Sequence, residues 1–321
     1  MVRSRDPKVL VADARAGDRG ALARLLSYVE RGGVLAHEVG RLTHPLGGEA
    51  YTVGLTGAPG AGKSTLTSEL VRVMRDQDLV ATVLAIDPSS PFSGGAILGD
   101  RVRMQEHALD EGVFIRSMAT RGHLGGLALA TPQAIRVLDA ARRPWVLIET
   151  VGVGQVEVEV ASSTDTVVVV VNPGWGDSVQ ANKAGLMEIA DLFVINKADR
   201  AGVGDTRRDL EQMLDLSSLD GWRPPILPTV ASDGKGLVEL WDAIGAHQDH
   251  LVTSGELERR RAERLDKELR RIVIEQLRAR ARAAFDDPAW DQLNADVLAR
   301  RTDPWSAADE IVSRLDELAG S

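Results

Sequence analysis

The stretch Gly57-Ala58-Pro59-Gly60-Ala61-Gly62-Lys63-Ser64, followed by Thr65, constrains this chain more than any other. It meets the pattern G-x-x-x-x-G-K-[ST] at every fixed position. Glycine and other small residues let backbone N–H groups turn inward and line a concavity for phosphate oxygens. Lys63 is placed to reach the β- and γ-phosphates, and Ser64 to ligate Mg²⁺. The flanks agree: residues 51–56 read as a buried strand and residues 64–74 as a helix, which puts bound phosphates on a helix N-terminus. A loop of this kind between strand and helix predicts a nucleoside triphosphatase.

With 321 residues and 44% hydrophobic content, the chain can fill one large α/β core and carry smaller appendages. A formal net charge of -9 argues against a nucleic-acid partner. The absence of cysteine excludes disulfides and thiolate metal sites, and the six histidines show no H-x-x-x-H spacing. The opening residues 1–7 lack the apolar run of a signal peptide, and no stretch reaches the ~18 apolar residues of a membrane span. The expected location is therefore cytoplasmic, with no membrane partner.

Asp6-Pro7 and Asp18 read as helix starts, each ahead of apolar residues at helical spacing, and Gly32-Gly33 closes the second helix. Residues up to Glu49 read as a connector. From Tyr51 onward short apolar runs alternate with helical segments, the pattern of a mostly parallel central sheet flanked by helices. Strands are expected at 51–56, 81–86, 113–117, 145–148, 166–171, 192–196 and 226–229, with the run of valines at 167–171 marking a central one. Helices are expected at 236–250, 257–285 and 305–318. The long segment 257–285 is rich in Arg, Lys and Glu and carries Leu265, Leu269, Ile272, Val273 and Leu277 as one stripe, which suits packing on its own domain or on a second subunit. The expected organisation is an N-terminal helical extension (1–48), a nucleotide-binding domain (49–250) and a C-terminal helical region (251–321).

Asn196-Lys197-Ala198-Asp199 ends a strand downstream of the loop and reads as a base-recognition motif. A carboxylate at Asp199 can accept from both N1–H and the exocyclic amine of guanine, a donor pair that adenine lacks, while the apolar stem of Lys197 can cover the base. GTP and GDP are thus the expected nucleotides. The turn containing Val230, Ala231 and Ser232 offers backbone N–H groups to the guanine carbonyl. Glu149-Thr150-Val151-Gly152 ends another strand; Glu149 can hold Mg²⁺ through water and the Gly152 N–H can sense the γ-phosphate. Asp87 and Asp100 lie in a Gly/Ser/Pro-rich stretch where carboxylates suit Mg²⁺ or water positioning, although loop aspartates also form turns and caps. No glutamine directly follows Gly152, so slow intrinsic hydrolysis is expected.

Residues 57–65, Asp87-Pro88-Ser89-Ser90-Pro91 with 94–101, 149–155 and 196–199 together resemble the MeaB/ArgK family of GTPases over nearly the whole chain. The resemblance implies a P-loop NTPase fold and GTP hydrolysis, with Lys63, Asp87, Asp100 and Glu149 in catalytic roles. Ser64, Asp87, Asp100 and Glu149 would gather around Mg²⁺. It also implies a switch loop at 174–185, containing Asp177, Gln180 and Lys183, that reports nucleotide state to a partner. That partner would be an adenosylcobalamin-dependent acyl-CoA mutase such as methylmalonyl-CoA mutase, served by a homodimeric chaperone. The same resemblance makes the C-terminal helical region (251–321) a dimerisation region. A metal-delivery GTPase and a small-molecule kinase linked to amino-acid transport are the alternatives.

Overall fold

The computed structural model describes residues 5–87, 107, 109–119, 124–150, 162–174, 189–216, 221–285 and 288–319. Among these, seven strands form one parallel sheet: β1 (Tyr51–Gly57), β2 (Ala81–Asp87), β3 (Val113–Ala119), β4 (Trp145–Thr150), β5 (Thr166–Val171), β6 (Leu192–Asn196) and β7 (Ile226–Thr229). Their spatial order is β3-β2-β4-β1-β5-β6-β7. Every strand foreseen in the sequence is present. β5 shows why: its β-branched residues are buried along the whole strand, as a central parallel strand covered on both faces requires.

The order places β1 between β4 and β5: from β1 the chain builds β2 and β3 on one side, returns to β4, and then crosses to β5, β6 and β7 on the other. Ligands bind beyond the C-terminal strand edge at such a reversal. Gly57, Asp87, Thr150, Asn196 and Thr229 all end their strands at that edge.

Helices cover both faces. α1 (Pro7–Arg15) and α2 (Arg19–Arg31) start where expected: Asp6 caps the first through Lys8 N–H, and Asp18 caps the second through the N–H groups of Gly20 and Ala21. The segment after Gly33 differs from the expected connector. It folds as α3 (Gly33–Thr43) and a single 3₁₀ turn (His44–Leu46), because Ala36, Val39 and Thr43 lie on one face and bury it. These helices and α5 (Leu124–Ala140) pack over β2, β3 and β4, with Leu22, Leu25, Leu26, Phe114, Leu138 and Ile148 in the shared core. Arg116 of β3 joins this layer through Glu30 of α2 at 2.7 Å.

On the opposite face α4 (Lys63–Asp76) and α7 (Leu237–Thr253) bury Leu66, Leu70, Leu237, Leu240 and Trp241 against Val53, Leu55 and Val168. α6 (Val203–Leu216) contributes Leu210 and Leu214 to a third core with Val169 and Phe193.

The long helix α8 (Glu256–Phe285) begins with a grip on the N-terminal sheet edge. Arg261 donates to both oxygens of Asp165 at 3.1 and 3.0 Å and to the carbonyls of Gly48 and Ala50, while Arg264 also donates to Asp165. Arg260 reaches Asp191 at 2.9 Å. A buried chain continues from Asp191: His247 Nε2 lies 3.3 Å from its Oδ1, His247 Nδ1 pairs with the Thr166 hydroxyl, and that hydroxyl pairs with Tyr51. The chain divides into two compact units, residues 1–264 and 265–321. The second contains the rest of α8, α9 (Pro288–Leu298), which the sequence reading did not foresee, and α10 (Pro304–Ala319). Within it Phe285 packs on Trp290 at 4.6 Å and Asp303 caps α10 through Trp305 and Ser306 N–H.

Candidate nucleotide site

The phosphate loop is shaped by two close approaches. Gly57 has φ +133° and registers with Val170 of β5, where a Cβ would lie 2.0 Å from the Val170 carbonyl oxygen. Gly62 has φ +93° and its missing Cβ would meet Asn196 Nδ2 at 2.4 Å. Glycine is therefore required at both positions by backbone conformation and by space. Between them Ala61 is fully buried, whereas Pro59 and Gly60 are exposed and Ala58 is half-buried.

α4 begins at Lys63, so its first-turn N–H groups and positive dipole end face the loop. The Lys63 ammonium donates to the Gly57 carbonyl and, at 3.3 Å, to that of Ala58. Ser64 donates its hydroxyl to Glu149 Oε1. Glu149 is 1% exposed and sits in β4 opposite Leu55 of β1, which carries its carboxylate to the helix start. Thr65 is exposed on the same first turn.

A hydroxyl and a carboxylate in contact form a hard oxygen donor set that fits Mg²⁺. Among the described residues no group of three or more His, Asp or Glu could hold a metal by itself. The backbone of Asp87 reaches the same edge at the end of β2. Its side chain, together with Asp100, Gly152, Asp177, Gln180 and Lys183, lies outside the described residues.

The second half of the site is assembled around Asn196, 2% exposed at the end of β6. Its Nδ2 donates to the Ala61 carbonyl at 2.8 Å, and its Oδ1 accepts from the Thr229 hydroxyl and the Ala231 N–H, each at 3.2 Å. Lys197 adopts φ +59°, uncommon for a residue with a side chain, and its ammonium donates to the Gly60 carbonyl at 2.6 Å. Asp199 follows two residues later and is exposed. The facing turn is held by Val230 and Lys235, which exchange backbone hydrogen bonds at 3.0 and 3.2 Å around the 3₁₀ turn Ala231–Asp233. Ala231 is buried and Ser232 exposed.

The phosphate loop, the 196–199 segment and the 230–232 turn are thus brought together. Two contributors escaped the sequence reading. Asn172, just past β5, donates to the Gly60 carbonyl at 3.4 Å, and Thr229 positions Asn196. Their signal was only that both are polar residues at the C-terminal edge of apolar strands.

Residues 22–286 match the profile of the family described as Methylmalonyl Co-A mutase-associated GTPase MeaB. The chain belongs to the MeaB family. Among MeaB relatives, a Pyrococcus abyssi protein designated a GTPase is 50% identical over 310 residues, spanning 95% of this chain and 96% of its own length. GTPase ArgK of Escherichia coli K12 is 37% identical over 272 residues, 82% of each chain. A crystal structure described as LAO/AO transport system kinase superposes with a TM-score of 0.72 at 26% identity and full coverage of both chains. The present chain is a P-loop GTP hydrolase of this family, and no described helix is long and apolar enough to cross a membrane.

Proposed function

We propose that this MeaB-family GTPase acts as a nucleotide-switched chaperone for an adenosylcobalamin-dependent acyl-CoA mutase such as methylmalonyl-CoA mutase. The observation that carries the reading is the match of residues 22–286 to a profile whose description names that mutase. The protein acts in the cytoplasm as a homodimer. The C-terminal helix supports this, since Leu265, Leu269 and Leu277 are 48, 60 and 55% exposed in the single chain.

GTP binds with its phosphates on the 57–65 loop, where inward N–H groups and Lys63 neutralise them, and with its base between Lys197 and the 230–232 turn. Asp199 accepts from the base, Asn196 keeps the two halves in register, and Lys63 stabilises charge that builds on the transferring phosphoryl group. Ser64 and Glu149, joined by Asp87 and Asp100, hold Mg²⁺. When bound, the cation neutralises charge on the β- and γ-phosphates. Gly152 senses the γ-phosphate, and Asp177, Gln180 and Lys183 pass that state to the mutase.

The test is GTP turnover with and without purified mutase, for wild type and Lys183→Ala. Stimulation of wild type that is lost in the variant, with basal turnover preserved, is the expected result. No stimulation by any candidate mutase would remove the chaperone role. The similarity to a protein described as a transport system kinase favours one second reading, phosphoryl transfer to a small molecule. Labelled γ-phosphate recovered only as inorganic phosphate excludes it.

A further inference from the structure

Two groups of arginines occupy contrasting surroundings near the N-terminal ends of the strands. Arg260, Arg261 and Arg264 are matched by Asp165, Asp191 and Glu256. Arg15, Arg19, Arg142 and Arg143 form no ion pair with a carboxylate among the described residues. Arg15 donates to the Ala140 carbonyl at 3.2 Å and Arg19 to the Asp110 carbonyl at 3.0 Å. The Asp110 carboxylate itself is taken up by Arg75 at 2.8 Å and by the Gly112 N–H at 2.7 Å.

The guanidinium groups of Arg19 and Arg143 converge on one ring. Their Cζ atoms lie 6.0 and 5.7 Å from the centroid of Phe114, which is 5% exposed near the start of β3. Both arginines are half-buried. Each has given up hydration, and each repels the other, while the ring's negative face returns only part of that cost. Burial, with Arg19 beside it, draws Arg143 below the ordinary guanidinium value. Arg142 stands exposed in the turn before β4, with φ +58°, and adds a further charge to the rim. All this occurs in a chain of net charge -9, so carboxylates are not scarce.

Two guanidinium forks that share one ring, and that pair with no carboxylate among the described residues, fit one ligand chemistry well. A tetrahedral dianion supplies acceptors to both forks and cancels both charges. We propose that Arg19 and Arg143, with Arg15 and Arg142 at the rim, form a second anion site that takes the phosphoryl group of a small ligand. It is separate from the nucleotide phosphates, because β3 runs about 20 Å from this end to the edge that carries the loop.

The experiment uses the full chain saturated with a non-hydrolysable GTP analogue and Mg²⁺, so that the loop is filled. Inorganic phosphate is then titrated calorimetrically at constant ionic strength. Wild type should bind phosphate, and Arg19→Gln and Arg143→Gln should each weaken it about tenfold or more, with affinity for the GTP analogue unchanged. Thermal unfolding gives an independent readout. Without phosphate, Arg143→Gln should melt at or above the wild-type temperature, because a repulsive contact has gone; phosphate should raise the melting temperature of wild type only.

Phosphate affinity that survives both substitutions would overturn the proposal. So would a drop in melting temperature for Arg143→Gln together with no phosphate response in wild type, which would make the pair a structural brace. A glutamate-rich peptide that binds this site where phosphate does not would overturn the small-ligand assignment in favour of an acidic protein segment.

Discussion

Asn196 donates its amide to the carbonyl of Ala61 at 2.8 Å, so a residue at the end of β6 fixes the wall of the phosphate loop. The same side chain accepts from Thr229 and Ala231, and its three bonds hold the loop, β7 and the base-side turn in one arrangement. Asn196→Ala leaves a buried carbonyl and a buried N–H unsatisfied, which costs about 1–3 kcal/mol. Affinity for GTP and GDP should fall together, since both use the loop and the turn. Asn196→Asp should be worse, because it sets a carboxylate against the Ala61 carbonyl. Titration with both nucleotides and thermal unfolding measure this; wild-type affinity in the alanine variant would show that the loop holds its shape unaided.

In the proposed function Asp199 carries base selectivity. It is exposed after Lys197, whose left-handed backbone turns the chain at the strand end. Asp199→Asn should weaken GTP binding by about 2–4 kcal/mol, because the paired donors of guanine then face an amide donor. Xanthosine triphosphate, which presents a carbonyl where guanine has its amine, should be preferred by the variant. Competition binding with GTP, ATP and xanthosine triphosphate decides the matter, and equal wild-type affinity for ATP and GTP would refute the assignment.

Ser64 and Glu149 should act as one unit toward Mg²⁺. Glu149→Gln keeps the shape of the contact but removes its charge, so turnover should need more Mg²⁺ while GTP binding measured without metal changes little. Lys63→Ala should abolish hydrolysis at any Mg²⁺ concentration, because charge on the transferring phosphoryl group then lacks its nearest cation. Turnover against Mg²⁺ concentration separates the two. An unchanged Mg²⁺ requirement in Glu149→Gln would remove that carboxylate from the metal's surroundings.

The strands and the nucleotide motifs were legible because their signals are local. Each strand is an apolar run bounded by turn residues, and the loop carries its glycines within one eight-residue pattern. Strand ends drifted by one or two residues, as at β3 and β4. α3 was missed although Ala36, Val39 and Thr43 show helical spacing, because Gly32-Gly33 reads as a helix stop and offers no side-chain cap to announce a new start. Asn196 was read as part of base recognition, while its role in bracing the loop depends on partners at 61, 229 and 231. Distance in sequence also hid the grip of α8. Its arginines look like an ordinary solvated face, and only folding brings Asp165 and Asp191 beneath them.

That grip supplies a prediction with a defined pH dependence. Asp165 is 1% exposed and accepts from Arg261, Arg264 and both the N–H and hydroxyl of Thr52. Burial alone would push its carboxyl up, but the Arg261 hydrogen bonds and the charges of Arg264 and Arg261 outweigh it and hold the group below the usual carboxylate value. Asp165→Asn strands two partly buried guanidinium groups and should cost about 3 kcal/mol or more at neutral pH. A lowered folded value means that the carboxylate's contribution is complete above the unfolded value of about 3.9 and is lost as pH falls through the folded one. The gap between wild type and variant in urea unfolding should therefore stay constant from pH ~7 to ~5 and close only in stronger acid. Asp266→Asn, which breaks an exposed pair with Arg270, should leave stability unchanged and serves as the control. A gap for Asp165→Asn that widens as pH drops from neutral would mean that burial, not the arginines, governs this carboxyl.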